Sequence, residues 1–171
     1  MLNCKNKGKK YKSGDFNIGV KKHYKYPKYE SLEGCPQHIT GEFTCYGNII
    51  TSLVGGPQIV DGEYWCDGNE LTDLTGCASH IGDTLRFRNN RKITSLVGIH
   101  KIIKSCTYMY FDCDNITEGG IGLLMIENLT YISDGNPPFK IIQSYLGTGT
   151  KGMMECSKEL TNKGYANYAK L

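Results

Sequence analysis

Apolar and polar residues alternate over short stretches in the middle of the chain, and each stretch closes on an asparagine. The three clearest stretches have the order apolar-x-apolar-x-x-Asn and start at Phe43, Tyr64 and Leu85. A period of two is typical of a short strand with one buried face. The pattern therefore predicts short strands, each followed by a corner where the asparagine side chain satisfies buried backbone groups.

The pattern recurs at a fixed spacing. At a shift of 21 residues Leu32, Leu53 and Leu74 align, and a glycine follows each of them two residues later. Periods of this length are typical of stacked units that are too small to bury an apolar face alone. The sequence predicts an α/β protein built as a right-handed solenoid, with short parallel strands in about five units across residues 14–132.

The fourth unit is less regular than the first three. Met109 takes the first apolar position and Asp114 the asparagine position, but Cys106 and Tyr108 support a competing register. We keep the Met109 register as the prediction, with the other one open.

The two ends of the repeat differ from its middle, as capping units usually do. Residues 14–18 echo residues 41–45, which predicts an N-terminal capping strand, and residues 121–126 are expected to form one last strand. Helices are predicted at 138–146, started by Asn136, and at 152–162. The chain then divides into a basic arm with the capping strand (1–28), the solenoid (29–132) and a helical cap (133–171).

The repeat resembles the leucine-rich repeat, because its strands match the LxLxxNxL core with Phe, Tyr and Cys in leucine positions. Residues 51–57 look like a turn, so a non-helical convex side is expected. Together with the tail 139–171, these degenerate units are similar to the small leucine-rich-repeat-like proteins of T-even-type bacteriophages, over about residues 29–171. The resemblance implies a viral protein made in the bacterial cytoplasm, and no catalytic residue.

Charge is segregated along the chain. Residues 1–28 carry nine lysines and one aspartate, residues 29–83 carry nine acids and no lysine or arginine, and residues 84–104 carry six cations and no acid. Such blocks describe surfaces that recognise partners or one another.

Composition places the chain among globular proteins of the cytosol. No run of about 18 apolar residues and no apolar signal segment is present. The eight cysteines contain no CxxC pair, so we expect buried, reduced thiols and no zinc knuckle.

Two motifs with chemical potential have simpler explanations. The GxGxxG of residues 147–152 follows a predicted helix rather than a strand, so an interhelical loop is favoured over dinucleotide binding. His38 and His80 share a repeat position two units apart, about 10 Å at the strand spacing, which is too far to share an ion. We therefore predict no metal, no cofactor and no small-molecule substrate.

The strand face opposite the core carries the strongest functional signal. Outward positions of neighbouring strands should form columns, with Arg86 between Trp65 and Tyr110, and Arg88 between Asp67 and Asp112. Trp, Tyr and Arg are enriched at the centres of protein interfaces. The candidate partner-binding residues are Glu42, Tyr46, Glu63, Trp65, Asp67, Arg86, Arg88, Tyr108, Tyr110 and Asp112.

These residues predict a non-enzymatic protein-binding module of a phage. It would dock a host protein through the strand face, with inhibition of a host or defence enzyme as one outcome, and no membrane is involved. The alternative is a nucleic-acid-binding accessory protein that uses the Lys/Tyr-rich arm. The acidic block 29–83 disfavours it, because nucleic-acid surfaces are usually contiguous and basic.

Overall fold

The computed structural model of the chain describes residues 15–19, 28–133 and 135–171. It is a mixed α/β fold with parallel sheets, as expected from the sequence. Most of the basic arm lies outside the described residues, and so do three of its tyrosines (11, 24 and 26). No helix in the described ranges is long and apolar enough to cross a bilayer.

Strands of successive repeat units are hydrogen-bonded neighbours in one parallel sheet, which we call the main sheet. Its six strands follow the order β1-β3-β5-β7-β9-β11. They are β1 Phe16–Asn17, β3 Phe43–Thr44, β5 Tyr64–Trp65, β7 Thr84–Arg86, β9 Tyr108–Tyr110 and β11 Tyr131–Ile132.

The register of the main sheet is the one that the repeat predicts. Phe43 pairs with Tyr64, Tyr64 with Leu85, and Leu85 with Met109, so the competing register of the fourth unit is wrong. The predicted capping strand is present, because Phe16 pairs with Phe43. The expected inward side chains are all buried and form one core with the repeat leucines.

The asparagines at the strand ends form a buried ladder. Asn69 Nδ2 donates to the carbonyls of Cys45 and Cys66, both at 3.0 Å, and its Oδ1 accepts the N–H of Ile50 at 3.2 Å. Asn48 and Asn90 repeat this arrangement one unit before and one unit after. The predicted role of these side chains is confirmed.

Asp114 does not continue the ladder, contrary to the prediction for the fourth unit. It is exposed and lies in a 3-10 helix, Cys113–Asn115. A charged carboxylate has no N–H to donate to buried carbonyls, which explains why the ladder changes at this position.

The segments between main-sheet strands form two further parallel sheets that the sequence did not indicate. Three strands pair in the order β2-β4-β6, and β8 pairs with β10. They are β2 His38–Ile39, β4 Ile59–Val60, β6 His80–Ile81, β8 Ser95–Leu96 and β10 Glu118–Gly119.

The convex side was expected to be non-helical, but it contains one helical turn, α1 Ile99–Ile102. The spacing from Leu85 to its partner Met109 is 24 residues instead of the 21 that separate Tyr64 from Leu85. The additional residues make this connection long enough to form a helical turn, and Ile99 of the turn is buried.

The C-terminal helices are α2 Pro137–Ser144 and α3 Gly149–Asn162. The predicted cap is present, since Asn136 Oδ1 accepts the N–H of Phe139 at 3.2 Å. Helix α3 begins three residues before the predicted start, so the interhelical loop is shorter than expected and four of the six GxGxxG residues are helical. The Phe139 ring packs edge-on against Phe111, with centroids 5.0 Å apart.

The predicted strand at 121–126 is wrong. Residues Ile121–Met125 form a 3-10 helix, and the last main-sheet strand is β11. Gly119 and Gly120 have φ values of 74° and 114°, which turn the chain away from an extended path just before this segment. The repeat itself continues, because Ile132 pairs with Met109.

The expectation of eight reduced thiols is wrong for Cys35, which is disulfide-bonded. The absence of CxxC excludes only a CxxC pair. Six other cysteines are buried thiols. Burial raises the pKa of Cys106 to about 12, which keeps this thiol protonated and unreactive.

Candidate functional site

The outward side chains of the main sheet form the columns that the sequence predicts. Trp65 pairs with Arg86, and Arg86 with Tyr110. The Arg86 guanidinium lies 4.4 Å from the Trp65 ring centroid and 5.9 Å from that of Tyr110. The predicted cation-π arrangement is therefore present.

Two further rings extend this row. Tyr46 lies 5.1 Å from Trp65, and Tyr131 lies 5.5 Å from Tyr110, measured between ring centroids. We call the row the platform: Tyr46, Trp65, Arg86, Tyr110 and Tyr131. Tyr131 was missed because the last strand was predicted at 121–126, although its spacing from Tyr108 was available in the sequence.

Asp67 fixes the centre of the platform. Its Oδ2 accepts the Trp65 indole N–H at 2.6 Å and lies 3.4 Å from Arg86 Nη2, while its Oδ1 accepts the backbone N–H of Arg88 at 2.6 Å. Burial raises the pKa of Asp67, and these contacts oppose that rise. The carboxylate thus holds the indole ring and the guanidinium in place.

Arg88 stands between Asp67 and Asp112 along the strand ends, but it forms no ion pair with either carboxylate in the described ranges. The Arg88 guanidinium lies over the Tyr110 ring, 5.1 Å from its centroid. Asp67 forms its ion pair with Arg86, and Asp112 Oδ2 accepts the backbone N–H of Asn89 at 2.6 Å. Asp67 and Asp112 both accept backbone N–H groups at the strand ends. The Arg88 side chain covers the Tyr110 ring instead of pairing with them.

The beginning of the strands is acidic. Glu42 and Glu63 occupy one column, and Asp83 precedes the next strand. Burial raises the pKa of Glu63, and the charges of Glu42 and Asp83 raise it further, against the lowering effect of Arg86. Tyr108 continues this column and is 40% exposed. Thr84 lies between Glu63 and Tyr108 in this column and is buried, so the column is not exposed to solvent along its whole length.

The other end of the strands holds a groove of about 460 Å³, which the sequence did not indicate. Its lining residues are Lys28, Tyr46, Gly47, Trp65, Asp67, Gly68, Asn89 and Arg91. Lys28 and Arg91 are exposed, and neither forms an ion pair with any residue in the described ranges. They are far apart in the sequence, so only the fold brings them to one groove.

The described histidines and thiols lie outside the platform. His38 and His80 are exposed on either side of Ile59, and His38 Nε2 lies 2.9 Å from Asp61 Oδ1. Among residues 15–19, 28–133 and 135–171, no three His, Cys, Asp or Glu side chains are placed to hold a metal ion.

Comparison with known proteins gives no relative: no protein-family model, no curated protein and no solved structure matches this chain. The arrangement of side chains on the strand face therefore carries the functional argument.

Proposed function

We propose that this chain is a non-enzymatic protein-binding module that docks a host protein through the platform. In this proposal the chain is a leucine-rich-repeat-like right-handed solenoid of a T-even-type phage, closed by a C-terminal helical cap. The parallel order of successive repeat strands supports the solenoid, and the resemblance of the tail supports the phage origin. We also propose that the host protein is met in the bacterial cytosol; the disulfide of Cys35 is an exception to the reduced thiols that are usual there.

The observation that carries the proposal is the ordered row of rings and guanidinium groups on a solvent-facing sheet. Exposed ion pairs and cation-π pairs each add only about 0 to 1 kcal/mol to stability. Stability alone is therefore a weak reason for the sole tryptophan and three tyrosines to line one face. Trp, Tyr and Arg are the side chains that dominate binding energy at protein interfaces.

Two details favour a surface prepared for a partner. Asp67 holds the Trp65 ring and Arg86 in place, so little side-chain freedom remains to be lost on binding. In addition, Arg86 Nε is buried and has no hydrogen-bond partner within the described part of the chain. Such an unsatisfied buried donor costs stability, which argues against a purely stabilising role for this arginine.

The proposal predicts that Trp65→Ala weakens capture of the host protein from lysate by about thirtyfold, the effect of losing about 2 kcal/mol at an interface centre. Trp65→Ala with Arg86→Ala should abolish capture. Thermal melting should fall only modestly for Trp65→Ala, because Trp65 is half-buried and lies outside the core, although Asp67 loses one hydrogen bond.

The matched control is Met154→Ala, which removes a large exposed side chain from α3. It should leave capture intact. If capture survives the platform substitutions and is lost with substitutions in the helical cap, the cap is the binding element and the proposal is wrong.

A further inference from the structure

The groove beside Trp65 has one aromatic side, and the backbone amides of Gly47 and Gly68 in its lining are already hydrogen-bonded. Tyr46 and Trp65 form the aromatic side, with ring centroids 5.1 Å apart. The N–H of Gly47 donates to the carbonyl of Asp67 at 2.8 Å, and the N–H of Gly68 donates to the carbonyl of Arg88 at 2.7 Å. Backbone amides that are already bonded do not cradle a phosphate, so recognition in this groove falls to side chains.

The charge of the groove is positive where it is open. Lys28 and Arg91 are exposed and have no ion-pair partner in the described ranges. Asp67, the single acid among the described lining residues, is bonded to the indole of Trp65 and paired with Arg86. Within the described part of the chain, an incoming anion therefore meets two cations without ion-pair partners, and the carboxylate of Asp67 is already compensated.

We infer that this groove binds an acidic peptide segment of the partner, with an aromatic or aliphatic side chain against Tyr46 and Trp65 and carboxylates at Lys28 and Arg91. This inference rests on the proposed function and names the chemistry of the partner. A groove of about 460 Å³ has the size of ordinary ligand sites and accommodates one large side chain with its neighbours. An aromatic side flanked by two exposed cations matches a mixed apolar and acidic segment.

Trp65 is the only tryptophan of the chain, so its fluorescence reports directly on this groove. The probe is a synthetic peptide with one central phenylalanine flanked by aspartate and glutamate. One comparison peptide carries lysines in place of the acids, and a second keeps the acids but has glycine in place of phenylalanine. Only the first probe should change Trp65 emission saturably at low salt, and added salt should weaken its binding.

The test variant combines Lys28→Glu and Arg91→Glu, and the matched control combines Lys101→Glu and Lys158→Glu, which are exposed and outside the groove lining. The test variant should bind the acidic probe about fivefold or more weakly, and the control should bind it like the unmodified chain.

Two results overturn the inference: the lysine peptide binds as well as the acidic one, or the test variant binds the acidic probe unchanged. Failure of the proposed function gives a different result. If no probe changes the emission while Trp65→Ala still weakens capture of the host protein, the acidic class is wrong and the docking face remains. If Trp65→Ala leaves capture intact, the docking face itself is wrong.

Discussion

Asn69→Ala removes the central member of the asparagine ladder. The carbonyls of Cys45 and Cys66 keep a second donor each, from Asn48 and Asn90. The N–H of Ile50, however, loses its acceptor, Asn69 Oδ1, in a fully buried position. The main cost is therefore one buried, unsatisfied backbone donor.

An unsatisfied buried group of this kind costs about 1–3 kcal/mol. For a chain of this size each kcal/mol lowers the melting temperature by about 2–4 °C, so Asn69→Ala should melt about 2–12 °C lower. Thermal unfolding followed by circular dichroism measures the shift. Asn167→Ala is the matched control, since its side chain is exposed, and it should melt like the unmodified chain.

Asn69→Asp separates the donor role from the acceptor role. The aspartate keeps an oxygen for the Ile50 N–H but places a second oxygen against the carbonyls of Cys45 and Cys66. Burial raises the pKa of such a carboxyl, so the destabilisation should be largest at neutral pH and should shrink as the pH falls and the group gains a proton. Equal melting temperatures for Asn69→Ala and Asn167→Ala would refute the ladder as a source of stability.

Two other substitutions test neighbouring features. Gly76 and Gly147 both have a left-handed φ, but a Cβ on Gly76 would collide with the backbone N of Val54, whereas a Cβ on Gly147 would meet open space. Gly76→Ala should therefore lower the melting temperature far more than Gly147→Ala. Equal losses of melting temperature would contradict close stacking of the units. Because burial and the charge of Glu42 raise the pKa of Glu63, the ionised form of Glu63 costs stability at neutral pH. Glu63→Gln should raise the melting temperature at neutral pH, and this gain should disappear toward about pH 4. A gain that grows on acidification would contradict a raised pKa of Glu63.

The repeat was predictable because each unit solves the same packing problem with the same residues. The alternation around Tyr64 and Leu85 gave the strand register, and the position of Asn69 gave the corner hydrogen bonds. The contact of Arg86 with Trp65 followed from that register alone. Side chains that face their equivalents in the next unit can thus be placed from sequence spacing.

Features that depend on distant segments could not be placed in this way. The groove joins Lys28 to Arg91, and no spacing rule connects them. The last strand at Tyr131 lacks the leucine and asparagine positions of the repeat, so the sequence favours a strand in the more apolar segment 121–126. Gly119 and Gly120, both at positive φ, turn the chain out of an extended path before that segment. The direction of the Arg88 side chain depended on which carboxylates were already occupied by backbone N–H groups.

The docking face can be mapped by oxidative footprinting of the captured complex, with mass spectrometry of each modified side chain. We expect Trp65, Tyr108 and Tyr110 to be protected when the host protein is bound, because they lie on the platform or in the column beside it. Met154 on α3 is 58% exposed and should be oxidised equally in the free and bound chain. Protection of Met154 with unchanged oxidation of Trp65 and Tyr110 would contradict docking through the main-sheet face.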